Sequence, residues 1–116
     1  MSAEPDRPYS AAEALEAGLV RAVVPADELL PTAQRFAAEI AANCAPVSVA
    51  LSRQLLWRML GATHPSEAHA VESDALASRG RSADAAEGVR SFLEKRPARF
   101  PVRVSDGMPD WFEEWR

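Results

Sequence analysis

The stretch Glu87-Gly-Val-Arg-Ser-Phe-Leu-Glu-Lys-Arg-Pro-Ala-Arg-Phe100 is the most informative part of this 116-residue sequence. Its apolar residues recur at helical spacing, and Pro97 cannot continue a helix, so the stretch predicts a helix that stops before that proline. Ser82 is the expected N-cap, with Asp84 near the positive end of the helix. The predicted apolar face consists of Ala85, Val89, Phe92 and Leu93.

Four cations gather in the second half of this helix and just beyond it: Arg90, Lys95, Arg96 and Arg99. The helix dipole stabilises cations at this end, which explains one or two of them. Four cations alternating with Phe92 and Phe100 also suit a ligand that carries phosphates and a flat ring. The residues alone leave both interpretations open. Gly88 is expected to permit close packing, since glycine inside a helix is otherwise unfavourable.

The first half of the chain predicts two more helices. Ser10 and Glu13 form a capping-box pattern, and Gly18 is expected to end the short helix that follows. The segment 19–24 is rich in β-branched residues and predicts a strand or an extended segment. Asp27 is the expected N-cap of a second helix, with Pro31 in its first turn. Its apolar stripe is Leu29, Ala33, Phe36, Ala37 and Ile40.

Asn43 through Pro46 predicts a break, after which Pro46 suits the first position of a third helix. The stripe of that helix is Val47, Leu51, Leu55 and Met59, and Gly61 ends it. A fourth helix is expected from Pro65 to Gly80.

These patterns predict a mainly α fold of about five helices with at most one short strand. They divide the chain into an irregular lead-in at 1–9, a helical region at 10–100 and a tail at 101–116. The tail carries an aromatic cluster of Trp111, Phe112 and Trp115.

The helices carry more apolar surface than they can bury among themselves. Residues outside the main stripes are also apolar, and a helix that is apolar all round is buried on all sides. Examples are Leu30, Ala41, Cys44, Val49, Leu56 and Leu60. We therefore expect a further protein body or neighbouring subunits to cover these faces.

The composition argues against several classes of protein. A net charge of −4 disfavours a nucleic-acid-binding protein, including a helix-turn-helix DNA binder. No apolar run approaches the roughly 20 residues of a membrane span. The polar segment Met1 to Pro8 does not resemble a signal peptide. Cys44 is the single cysteine, so no internal disulfide can form, which fits a reducing cytosol. Together these features predict a soluble cytoplasmic chain.

Candidate catalytic groups are few. His64 and His69 lie five residues apart, off a common helical face, so no metal site is expected. Cys44 has no evident activating partner and is expected to be a small buried residue. Most carboxylate pairs, including Asp84 with Glu87, are expected to be solvated. Glu72 lies among apolar residues, and a buried structural carboxylate and an exposed one remain open.

Three segments together resemble a known family. Ser10-Ala-Ala-Glu-Ala-Leu-Glu-Ala-Gly-Leu-Val-Arg-Ala-Val-Val-Pro25 resembles the segment after the catalytic core of enoyl-CoA hydratases and isomerases, the crotonase superfamily. Ala37 through Pro46 is similar to the following helix and its break. Phe92 to Phe100 is similar to the family's C-terminal signature, a phenylalanine, an acidic residue, a Lys-Arg pair, a proline and a final phenylalanine. The resemblance covers residues 9 to 100.

The resemblance implies acyl-CoA thioesters as substrates and no other cofactor. In that family the oxyanion-hole amides and the acidic residues lie upstream of the segment matched here, so no catalytic residue is assigned. The C-terminal helices cover the acyl pocket and build a trimer or a dimer of trimers. By resemblance, Lys95 lies near the CoA phosphates and Leu76 beside the adenine end. Phe92 and Phe100 match the flanking aromatics, for which packing is the safer role.

We therefore hypothesise the C-terminal portion of an acyl-CoA hydratase or isomerase-like enzyme, inert alone and prone to self-association. Whether such a chain counts as an enzyme stays undecided, because the chemistry of the family lies elsewhere. The alternative is a stand-alone helical module without catalytic function, whose apolar faces and terminal aromatics dock a partner protein.

Overall fold

The computed structural model describes residues 7–112 and is mainly helical within this range. The chain divides into two compact units, Met1–Ala37 and Ala38–Arg116. The described residues form six α-helices and one 3-10 turn, with no strand among them. These are α1 Ala11–Glu16, α2 Ala26–Asn43, α3 Pro46–Arg58, the 3-10 turn Met59–Gly61, α4 Pro65–Gly80, α5 Ala83–Leu93 and α6 Val104–Gly107. The predicted mainly α class is confirmed.

The first unit begins with the predicted capping box. Ser10 Oγ accepts from the Glu13 amide at 3.2 Å, and the Glu13 carboxylate accepts from the Ser10 amide at 2.9 Å. Arg7 forms an ion pair with the same carboxylate. These partners lower the pKa of Glu13 to about 2, with Arg7 as the main cause. Gly18 follows the helix at a φ of 73°, which a residue without a Cβ adopts readily.

The segment 19–24 forms no strand: residues 19–21 are bends and residues 22–24 have no regular structure. A strand needs a neighbour to accept its backbone hydrogen bonds, and the described part of the chain offers no other strand. Arg21 instead lies over the ring of Phe36, 4.1 Å from its centroid.

Helix α2 starts earlier than predicted. It begins at Ala26, so Asp27 lies in the first turn and is not the N-cap. Pro31 is therefore inside the helix rather than in its first turn. Acidic residues at 27 and 28 favour this earlier start because they face the positive end of the helix.

The second unit is built on α3. Its predicted stripe is confirmed at Val47, which is 0% exposed, and at Leu51. Ala75 of α4 and Phe112 complete the buried core, and Val102, Met108 and Trp111 pack against it. The tail therefore supplies core residues: Phe112 is buried and Trp111 is half-buried. Trp115 lies outside the described residues.

Gly107 allows the tail to return closely to α3. A Cβ at this position would collide with the Val102 side chain and come within 3.1 Å of Val47 Cγ2. The short helix α6 thus ends on a residue whose missing side chain makes room for the core.

Helix α5 buries its polar side against the rest of the second unit. Ser82 caps it as predicted, accepting from the Ala85 amide at 3.3 Å. The buried residues of the helix are Asp84, Glu87 and Ser91, whereas Val89, Phe92 and Leu93 of the predicted apolar face are exposed. The expectation that Asp84 and Glu87 are solvated is wrong, because the segment after the helix donates to both: the Val102 amide to Asp84, and the Arg96 side chain and the Arg99 amide to Glu87.

Exposure of apolar helix faces, expected from the sequence, is confirmed. Large apolar side chains of α2, α3, α4 and α5 lie open, including Leu29, Leu30, Leu56, Trp57, Leu60, Leu76 and Phe92. Within residues 7–112 no helix combines the length and hydropathy needed to cross a membrane.

Candidate functional site

The end of α5 is the most distinctive backbone feature of the second unit. The helix ends at Leu93, and Lys95 has a φ of 53°, the only positive value at a non-glycine residue in the described chain. The Lys95 amide donates to Phe92 O at 3.2 Å, and the Arg96 amide donates to Ser91 O at 3.1 Å. This pair of bonds is the Schellman arrangement, whose left-handed position usually holds glycine.

Glu87 ties the turn after the helix to the helix itself. Its carboxylate accepts from Arg96 Nη1 at 2.6 Å and Arg96 Nη2 at 3.0 Å, a two-pronged ion pair. It also accepts from the Arg99 backbone amide at 2.8 Å. Glu94 accepts from Arg96 Nε at 2.6 Å. We call Glu87, Glu94, Arg96 and the Arg99 amide the α5 clamp.

The clamp changes the ionisation of its members. Hydrogen bonds from Arg96, and then from the Arg99 amide, lower the pKa of Glu87 to about 2. Glu87 first, and then Glu94, raise the pKa of the Arg96 guanidinium. Arg96 therefore stays charged, and its charge is compensated by two carboxylates.

The four predicted cations consequently differ in their roles. Arg96 is engaged within the chain, while Arg90, Lys95 and Arg99 expose their side chains. In the described part of the chain the Lys95 ammonium has no ion-pair partner. An open cleft of about 450 Å³ lies beside the clamp, lined by Glu87, Arg96, Pro97 and Arg99.

Phe92 and Lys95, two of the predicted contact residues, lie together at the C-terminal end of α5. Phe92, 82% exposed, accepts the Lys95 amide through its backbone, so the two residues lie together. Phe100 is half-buried, and its Cε1 lies 3.9 Å from where a Cβ of Gly88 would be. That is ordinary van der Waals contact, so the described structure does not require Gly88 for close packing.

Leu76, the fourth predicted contact, lies on α4 and is exposed. It lines a groove of about 150 Å³ between α3 and α4, together with Leu51, Leu55, Ala75 and Arg79. A neighbouring groove of about 320 Å³ is lined by Leu55, Leu56, Met59, Leu60, Ala68 and Glu72. Glu72 is exposed at its edge, so the exposed alternative for this carboxylate holds.

Comparison with known proteins assigns the chain to a family. The family model described as enoyl-CoA hydratase/isomerase matches residues 6–103. The chain belongs to the enoyl-CoA hydratase/isomerase family. Among curated relatives, Enoyl-CoA hydratase ACTT3 of Alternaria alternata is 45% identical over 93 residues, covering 79% of this chain and 31% of the relative. Short-chain-enoyl-CoA hydratase of Clostridium acetobutylicum is 40% identical over 84 residues, covering 72% and 31%.

Solved structures agree with this assignment. A probable enoyl-CoA hydratase/isomerase from Mycobacterium abscessus superposes with a TM-score of 0.72 at 38% identity, covering 82% of this chain and 37% of that one. An enoyl-CoA hydratase/isomerase from Mycobacterium paratuberculosis gives 0.66 at 32% identity, covering 85% and 38%. The helices therefore adopt the arrangement of part of a crotonase-type fold. The chain spans about a third of the length of the curated relatives it matches.

The histidine and cysteine side chains considered as catalytic candidates either cap a helix or are exposed to solvent. His64 is the N-cap of α4, and its Nδ1 accepts from the Ser66 amide at 3.1 Å. Cys44 is exposed, so the expectation of burial is wrong; it follows the end of α2, where the helix face is open. Residues 7–112 contain no group of three side chains that could hold a metal ion.

Sequence reasoning missed Glu87 as a member of the candidate site. The sequence pattern predicts a solvated carboxylate, because the partners of Glu87, Arg96 and the Arg99 amide, are 9 and 12 residues away. Helical spacing relates only residues three and four apart, so no local pattern marks this contact. The one available signal was an excess of cations just after the helix.

Proposed function

We propose that this chain is the C-terminal helical region of an enoyl-CoA hydratase/isomerase-like enzyme. In this function its helices cover part of the acyl-CoA pocket, contact the phosphates of coenzyme A and form an oligomer interface. The observation that carries the proposal is the outward apolar face of α5, Val89, Phe92 and Leu93, directly beside the exposed cation Lys95. An apolar surface next to an uncompensated positive charge suits a ligand with both acyl and phosphate parts.

The phosphate contact is assigned to Lys95. A lysine binds phosphate as a mobile point charge, and Lys95 is exposed while neighbouring Arg96 is neutralised by Glu87 and Glu94. Leu76 supplies an apolar surface for the adenine end. Phe92 and Phe100 flank the site, with Phe100 packing against α5.

The oligomer interface is assigned to the open faces of the helices. Leu56, Trp57 and Leu60 lie at the end of α3 and in the 3-10 turn, and Leu60 is 81% exposed. Contiguous apolar patches of this kind mark protein interfaces, and homo-oligomers of closed symmetry are the commonest assemblies. Self-association in a trimer or a dimer of trimers is the proposed arrangement. A cytoplasmic location, without membrane or nucleic-acid partners, completes the proposal.

Calorimetry with crotonyl-CoA tests the phosphate contact. We expect Lys95→Ala to weaken binding by about tenfold, the usual worth of one charge-assisted contact. Arg81→Ala is the matched control, because Arg81 is also exposed but caps the other helix, α4. Equal affinities of wild type and Lys95→Ala would remove Lys95 from the site.

A hydration assay tests the absence of chemistry. The oxyanion-hole amides and acidic residues of the family have no match in this sequence, so the chain is expected to leave crotonyl-CoA unchanged. Loss of the enoyl absorbance, dependent on chain concentration, would show that the chain carries its own catalytic groups.

The alternative function is a helical interaction module without acyl-CoA binding. The open α3 and α4 grooves favour it, whereas Phe112 argues against docking through the tail because this ring is buried in the core. Light scattering distinguishes the two. A trimer favours the enzyme segment, and a stable monomer without affinity for crotonyl-CoA favours the module.

A further inference from the structure

Lys95 holds a conformation that its residue type disfavours. At a φ of 53° the Cβ of an L-residue crowds the following carbonyl, and glycine is the usual occupant of this helix-end position. Non-glycine residues persist in such conformations when the surroundings determine them, and they concentrate at functional sites. Two points therefore need an explanation: which contacts hold Lys95 in the left-handed conformation, and what function this conformation serves.

The cause is the α5 clamp. Glu87 lies two turns before the helix end, and its single carboxylate holds both the Arg96 guanidinium and the Arg99 amide. These two attachment points follow Lys95 in the chain, so the backbone that leaves Lys95 is fixed on the helix. Glu87 itself is shielded, with only 11% of its side chain exposed.

The function of the Lys95 conformation follows from the charges of Lys95 and Arg96. Two carboxylates compensate Arg96, so this guanidinium offers no net charge to an anion. The adjacent Lys95 is exposed and uncompensated within the described residues. The same carboxylate thus withdraws one cation from ligand binding and fixes the backbone of the other.

We propose that Glu87 is a positioning residue, which acts through Arg96 and the Arg99 amide to hold Lys95 in its left-handed conformation, so that Lys95 rather than Arg96 meets the phosphates of coenzyme A. The phosphate part rests on the function proposed above. The positioning part concerns this chain's own backbone and is testable without a ligand.

Limited proteolysis with trypsin tests the positioning alone. Cleavage after Lys95 requires the turn to open into an extended chain, and Pro97 blocks cleavage after Arg96, so this bond gives a clean signal. We expect Glu87→Gln to speed cleavage after Lys95 by on the order of tenfold, because a buried charge-assisted contact is lost. Glu39→Gln, at an exposed glutamate of α2, should leave the rate unchanged.

Cleavage after Arg90 is the internal control, since Arg90 lies within α5. Faster cleavage after Lys95 alone shows that the turn has loosened. Equal acceleration after Arg90 and Lys95 would mean that Glu87 supports the whole helix, and no change at Lys95 would mean that it supports nothing there; either result overturns the positioning role.

A double-mutant cycle with coenzyme A tests the link to the ligand, measured by calorimetry at low salt. We expect Glu87→Gln to weaken binding about fivefold in the wild-type chain and to cause no loss of affinity in the Lys95→Ala background, because Glu87 acts through Lys95. Equal losses in both backgrounds would indicate a structural role and contradict the proposal.

The proposed function and the positioning role fail separately. If the wild-type chain does not bind coenzyme A, the phosphate contact is wrong, whereas the trypsin result still decides what Glu87 does to the turn. If coenzyme A binds through Lys95 and Glu87→Gln changes neither affinity nor cleavage, only the positioning role is wrong.

Discussion

Lys95 and Gly107 show opposite uses of the backbone at single residues. Lys95 is a non-glycine residue where glycine fits better, and Gly107 is a glycine where any side chain would collide with Val102. The first sacrifices stability at an exposed helix end, and the second permits the tail to reach the core. Their replacements should therefore move stability in opposite directions.

Replacing Lys95 by glycine is expected to raise the free energy of unfolding by roughly 0.5–1 kcal/mol, because glycine adopts a positive φ without crowding its Cβ. Lys95→Ala keeps the Cβ and should stay within about 0.5 kcal/mol of the wild type. Urea unfolding monitored by circular dichroism measures both. A glycine variant no more stable than the alanine variant would show that the turn is unstrained.

Replacing Gly107 by alanine should lower the free energy of unfolding by about 1–3 kcal/mol, because the new Cβ overpacks the space between Val102 and Val47. Gly80→Ala is the matched control. Gly80 ends α4 with no atom within 4 Å of the Cβ position, so alanine there should be neutral or slightly stabilising. Similar melting temperatures for the two variants would contradict this packing.

At the scale of the element, α5 is held to the chain by its carboxylates. Asp84 Oδ1 accepts from the Val102 amide at 3.1 Å, and Glu87 accepts from Arg96 and the Arg99 amide. Asp84 is 3% exposed. The attachment of this helix is therefore electrostatic, while its apolar side remains available to another surface.

This attachment should depend on acidity in one direction. The pKa of Glu87 is lowered to about 2 from an ordinary value of 4.5, so its stabilisation is fully present above pH 4.5 and is lost as the pH falls towards 2. We expect the melting temperature to decline over this window and the decline to be smaller in Glu87→Gln. A variant with the same slope as the wild type would show that Glu87 titrates normally.

At the scale of the whole molecule, buried and exposed apolar side chains are unbalanced. Four hydrophobic residues are buried in the described chain, whereas 17 large hydrophobic side chains are exposed. Isolated exposed leucines are common, but here they follow helix faces. Association is the physical means by which such faces leave water.

The melting temperature is therefore expected to rise with protein concentration, because association binds the folded state and not the unfolded one. Serine at both Phe92 and Leu93 should weaken this dependence with little loss of monomer stability, since both side chains are exposed in the single chain. Calorimetric scans over a hundredfold concentration range provide the measurement. A melting temperature that stays constant would show that the open faces do not associate.

The helices could be predicted because their signals are local. Ser10, Gly18, Pro46 and Ser82 act on their own turns, so their effects follow from the sequence within a few residues. The site roles of Lys95 and Phe92 rest on a motif that is continuous in the chain, and they stay predictions. The start of α2 lies two residues before the predicted one, because alternative helix ends differ little in energy.

The amino-acid sequence by itself determined the helical class, the family and the excess of apolar surface, since periodicity, caps and motifs are properties of neighbouring residues. Only the tertiary structure decided which side of α5 faces the rest of the chain, that Phe112 belongs to the core and that Glu87 binds Arg96 and the Arg99 amide. These outcomes depend on contacts between residues far apart in sequence, where competing hydrogen bonds and packing choose among faces that the pattern leaves equivalent.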